Sequence, residues 1–230
     1  MVNHYPIAPS QNGNQDLWMQ AAANLSDEEK KVFEIADLER GNVAQVVLEA
    51  TRAQRKRCED KQWSFSFKGK QIFVRDVLES IISWTEKFKQ IVDFAVSMDV
   101  SGHAALPWAC VKFCLEFAGK DFQKYGSMLL GMEFVTREIR FYTLFEAVYL
   151  KTRSEAVEQL ADTLIQTYSN LLGYLASAYI YYRKHTIARV MSSPFSEDGV
   201  GSMMANVERF RSVIEQNARL IDKQTSDEEM

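Results

Sequence analysis

Apolar residues recur along this chain at three- and four-residue steps almost from end to end, the spacing that lays them on one stripe of a helix. Ser26 and Glu29 form a capping box, in which hydroxyl and carboxylate each satisfy an early amide of the other's residue. It predicts a helix to about Leu38, ended by Gly41-Asn42. Val43, Val46, Val47 and Ala50 predict a second helix over roughly 43–61, and the basic run Arg52–Arg57 suits its negative dipole end. Val74, Val77, Ile81, Phe88, Val92 and Ala95 mark a stripe over about 71–98, broken at Met98–Gly102. The segment WSFSFKGK, residues 63–70, alternates aromatic and polar residues and then turns. No other extended segment offers it a partner, so it is expected to be loop.

A short helix follows the break, and then a very long one to about Leu150. Its apolar positions include Phe122, Tyr125, Leu129, Met132, Val135, Ile139, Tyr142, Phe145 and Tyr149. Thr152 and Glu155 predict another capping box. The helix after it carries Val157, Leu160, Leu164, Tyr168, Leu171, Leu175 and Tyr179, and ends at Arg183-Lys184-His185. Residues 192–201 read as loop, 202–222 as a last amphipathic helix, and 223–230 as an acidic, frayed tail. The expected fold is all-α, a bundle of long antiparallel helices with short loops. One helical domain over 16–222 follows a polar, turn-rich leader at 1–15, expected to be disordered.

Composition narrows the function classes. The chain has 230 residues, 47% hydrophobic, enough for one large domain. With a net charge of −4 it lacks the positive field of a nucleic-acid binder. The most apolar stretch, residues 171–182, falls short of the roughly 20 apolar residues of a membrane span. The start of the chain does not read as a secretory signal, and an odd number of cysteines (Cys58, Cys110 and Cys114) reads as reduced cytoplasmic thiols.

The stretch GHAALPWACVKFCLEFA, from Gly102, invites chemical readings. Cys110 and Cys114 share a helix face after His103, but structural zinc sites pair such a couple with a second one, and none exists. A nucleophile needs a histidine in reach and an orienting acid. His4 lies in the leader and His185 at a basic helix end, and no nucleophile-elbow pattern supports a His103–Cys110 pair. Neither phosphate-binding glycine motif is present. No catalytic, metal or cofactor residue is therefore assigned, and the chain is expected not to be an enzyme. The structural reading is simpler: Gly102 turns the chain, Pro107 suits a first helical turn, and Trp108, Val111, Phe113, Leu115 and Phe117 enter the core. Ala104, Ala105 and Ala109 allow close approach, and His103 is expected as a hydrogen-bonded residue near the helix start.

The same stretch resembles a signature in the N-terminal helical domains of fungal NACHT-type NLR (STAND) receptors, runs like D-P-x-H-A-A-L-P-W-A-x-V-x-F. Asp99, Gly102, His103, Ala104, Ala105, Leu106, Pro107, Trp108, Ala109, Val111 and Phe113 fit it, whereas Val100-Ser101 stands where a proline is common. The similarity continues through most of residues 16–222. It implies a cytoplasmic signalling domain that acts by self-association and on a downstream NACHT module. The output implied is non-self recognition, heterokaryon incompatibility or programmed cell death. Two alternatives stand beside it: a purely structural cap on the NACHT module, and a HeLo-like bundle that permeabilises membranes. For the latter, Arg52, Arg55, Lys56, Arg57, Arg183 and Lys184 are candidate contacts to lipid or a partner, and the segment Leu17–Leu25 could insert. The competing reading of both basic runs is a solvated helix end.

Overall fold

Ser26 caps its helix as its sequence predicts. Its amide donates to Glu29 Oε2 at 3.0 Å while the Glu29 amide reaches Ser26 Oγ at 3.4 Å. The computed structural model describes residues 17–36, 43–59, 61–94, 105–118, 126–150, 154–183 and 196–228. Among these, eight helices are present: α1 (Leu17–Ala23), α2 (Asp27–Ala36), α3 (Val43–Arg57), α4 (Val74–Phe94), α5 (Ala105–Ala118), α6 (Gly126–Tyr149), α7 (Glu155–Arg183) and α8 (Glu197–Glu228). The architecture is an all-α bundle, with one small hairpin of β1 (Ser64–Phe67) and β2 (Lys70–Phe73).

Helix α7 is the hub, touching α1, α2, α5, α6 and α8. That explains its apolar middle: Leu171, Leu172, Leu175, Ala176 and Ala178 are all fully buried, so the most apolar stretch of the chain is core. The stripe Val157, Leu160, Leu164, Tyr168, Leu171, Leu175 and Tyr179 is buried throughout, as the periodicity requires. Trp18 of α1 stacks on Tyr168 with ring centroids 3.8 Å apart. Tyr174 donates its hydroxyl proton to the Met128 carbonyl at 3.0 Å, lying where a Cβ on Gly131 would otherwise stand.

Several boundaries differ from the sequence expectations. Residues 64–73 form an antiparallel hairpin rather than loop, with Phe67 paired to Lys70 and Ser64 to Phe73. Each strand is the other's partner across a two-residue turn whose Lys68 and Gly69 have φ of 50° and 72°, the left-handed pair that favours glycine at the second position. The fourth helix therefore starts at Val74, not near 71. Val46, expected in the core, is 38% exposed, while Val47 beside it is fully buried. The cap of α7 is Ser154, whose Oγ accepts from the Val157 amide at 3.3 Å. The last helix opens at Glu197, capped by Ser196, inside the expected loop, and continues through Glu228 where a frayed tail was expected. A serine followed by Glu197 and Asp198 is itself a helix start, and it outweighs the two nearby glycines.

The hairpin sits against the start of α6. Phe65 packs so closely on Gly126 that an added Cβ would collide with its ring. Gly126→Ala is expected to displace the hairpin and lower stability by about 1–3 kcal/mol, read as a lower urea midpoint. The leader at 1–15, Ala95, Asp99, Gly102, His103, Ala104, Phe122, Tyr125, Thr152, Lys184 and His185 lie outside the described residues.

Candidate functional site

Among the described residues of the stretch that invited chemical readings, most are packed away. Trp108 is 1% exposed and lies tilted on Phe88 of α4, ring centroids 4.9 Å apart. Pro107 is buried beside it in the first turn of α5, and Leu106 is half-buried. Cys110 and Cys114, one turn apart on α5, are both buried. Burial raises both thiols, Cys114 to about 12, and the neighbouring Cys114 raises Cys110 further. A thiol so protonated is a poor nucleophile and a poor metal ligand. Among the described residues no group of three or more His, Cys, Asp or Glu side chains is placed to hold a metal ion.

Cys58 lines a cleft of about 190 Å³ together with Lys61, Trp63, Phe73 and Arg75. Burial raises its thiol as well, against the opposing pull of Lys61. Lys61 Nζ lies 4.5 Å from the centre of the Trp63 ring.

The basic run at the end of α3 splits into two kinds of cation. Arg52 reaches Glu86 of α4 at 2.6 Å, and Arg55 reaches Glu79 of α4 at 2.5 Å and Glu59 at 2.9 Å. These two guanidinium groups tie α3 to α4. Lys56 and Arg57 are exposed and make no ion pair among the described residues. At the other end, Leu17, Trp18, Ala21 and Leu25 are buried, so the apolar side of the segment that the membrane alternative would insert is already occupied by the bundle. Among the described residues no helix is long and apolar enough to cross a membrane.

One functional-looking cluster was not foreseen. Glu138, in the middle of α6, is 1% exposed. Arg137 Nε donates to its Oε1 at 3.2 Å and Arg211 of α8 donates to its Oε2 at 3.0 Å. The Arg211 guanidinium also lies 4.0 Å from the Phe141 ring centre. Burial raises the Glu138 carboxyl above its ordinary range, and this outweighs the opposing pull of Arg211 and then Arg137. Eleven residues on in each helix, Tyr149 donates to Asp222 Oδ2 at 3.3 Å. Both ties join residues 73 apart in sequence, so α6 and α8 run parallel and in register. The Glu197 carboxylate accepts from the Lys68 amide at the hairpin turn, a third tie on α8. A signal for this cluster was present: Glu138 follows Val135 by three residues and precedes Tyr142 by four, a charge at a position the periodicity assigns to the core.

A family model described as the N-terminal domain of NWD NACHT-NTPase matches residues 14–230. No curated protein and no solved structure matched the chain.

Proposed function

The chain belongs to the family of N-terminal domains of NWD NACHT-NTPases, and from that premise we propose that it is a non-catalytic signalling domain working through helix–helix contacts. It associates with copies of itself and with the adjoining NACHT module, in the cytoplasm of a fungal cell, and its output is non-self recognition and regulated cell death. The observation that carries this reading is the burial of the family stretch from Pro107 to Leu115 over most of its positions. Trp108, Cys110, Val111, Cys114 and Leu115 are core, so this part of the motif serves shape. What is left to act is the surface of long helices, and bringing copies together through a neighbouring module raises their effective concentration.

Light scattering behind size exclusion, over a range of concentrations, tests the reading. A mass that rises with concentration, together with toxicity when the domain is expressed in a fungal host, is the expected result. A strictly monomeric and harmless protein would favour a structural cap instead.

A membrane-contacting role is the second reading, and its support is narrower. Lys56 and Arg57 are exposed and make no ion pair among the described residues, and each such cation contributes about 1 kcal/mol near an anionic surface. Arg183 and Lys184 are proposed as further contacts. Co-sedimentation with anionic liposomes at low and high salt decides it. Salt-sensitive pelleting that Lys56→Glu with Arg57→Glu abolishes would support the reading, and absence of pelleting at low salt would end it.

A further inference from the structure

Helix α8 has a second apolar stripe that faces away from the bundle. Val200, Val207, Ile214 and Ile221 recur every seven residues and are all buried, so they form the seam that holds α8 in place. Arg211 and Asp222 tie one flank of that seam to α6. Val213 lies two residues after Arg211 and Leu220 two before Asp222, roughly 200° around the helix at 3.6 residues per turn. Both are large and apolar, and they are 41% and 48% exposed. They are one heptad apart, and half-buried Phe210 lies one turn before Val213, so the three share an outward edge that the exposed Gln216 crosses between Val213 and Leu220.

Arg209 and Asp227 at the ends of this edge favour an antiparallel copy over a parallel one. Arg209 and Asp227 are 18 residues apart, five full turns, and so stand on one line beside the stripe. Neither makes an ion pair among the described residues, and Arg209 only overlies Phe210 at 5.6 Å. The midpoint of Val213 and Leu220 falls between residues 216 and 217, and that of Arg209 and Asp227 at 218. Those centres differ by about 2 Å along the axis. A second α8 laid antiparallel about a two-fold at this point would set Val213 against Leu220 and Arg209 against Asp227, twice over. A parallel copy would set Arg209 against Arg209 and Asp227 against Asp227.

We propose that the Phe210–Val213–Leu220 edge of α8 is the surface on which a second copy of this chain pairs, antiparallel and about a two-fold axis. It gives the self-association read above a definite face, and rests on that reading. Disulfide trapping of the full chain tests it, because Cys58, Cys110 and Cys114 are buried and leave little background. Val213→Cys and Leu220→Cys proteins, mixed and mildly oxidised, should form a mixed disulfide dimer well above what either forms alone. Dimers from each variant alone with no gain on mixing would mean a parallel pair and would overturn the arrangement. No trapped dimer at all, as when the NACHT module or lipid covers the edge, would overturn the surface. In light scattering, Val213→Asp with Leu220→Asp should weaken association by about tenfold in Kd or more. Arg209→Asp alone should also weaken it, and adding Asp227→Arg should restore it. If the wild-type chain associates and these variants leave it unchanged, this surface is wrong while self-association stands.

Discussion

Replacing Trp108 with alanine is expected to cost about 3–5 kcal/mol of stability, the range for removing a fully enclosed aromatic side chain. The indole is 1% exposed and packs on Phe88, and its helix α5 is surrounded by α2, α3, α6 and α7. A cavity there has walls from several elements and can collapse only partly. The phenylalanine variant is the informative companion. Trp108 Nε1 is buried without a hydrogen-bond partner among the described residues, so losing that N–H removes an uncompensated polar group. Trp108→Phe should therefore cost much less than Trp108→Ala. Urea unfolding followed by circular dichroism measures both, and a Trp108→Ala protein with the wild-type midpoint would contradict a core position for this residue.

Removing the Glu138 carboxylate is the other large effect. Glu138→Ala leaves Arg211 and Arg137 without their anion, and breaking a buried pair from one side costs about 3–5 kcal/mol. Both arginine side chains keep some solvent access, 30% and 35%, which places the expectation at the low end, about 3 kcal/mol. Glu138→Gln retains shape and an acceptor and should cost about 1–2 kcal/mol at neutral pH. The pH dependence has a definite sign. Because burial raises the folded carboxyl above its ordinary value near 4.5, the folded state binds more protons than the unfolded one between those two values. Stability from this group is fully present below the ordinary value and is lost as pH rises through the raised one. Melting temperatures of wild type and Glu138→Gln, measured upward from pH 4.5, should differ by an amount that shifts against the wild type as pH increases. Parallel curves would mean that Glu138 titrates as an ordinary exposed carboxylate.

Much of this architecture is legible along the chain, and the failures share a cause. Helix periodicity is local, so the stripe from Val157 to Tyr179 could be read directly and lies buried throughout. Caps are local too, and the Ser26–Glu29 pair could be read in the same way. The hairpin at 64–73 departs from the expected loop because Lys68-Gly69 folds the segment back on itself, so each strand finds its partner locally. The charged cluster was missed because Glu138 finds Arg211 only when α8 returns alongside α6.

The sequence by itself determined that the chain is a helical bundle, where most helices lie, and that Pro107 and Trp108 stand in the first turn of a core helix. Those properties follow from spacing and capping within a few residues. Tertiary structure alone decided that α6 and α8 run parallel in register, that Arg52 and Arg55 are held by α4, and that Val213 and Leu220 face outward. Each of these depends on which side of one helix another comes to rest. A single helix can be rotated to satisfy its own pattern, but only packing against its neighbours fixes which of its faces remains to meet a partner.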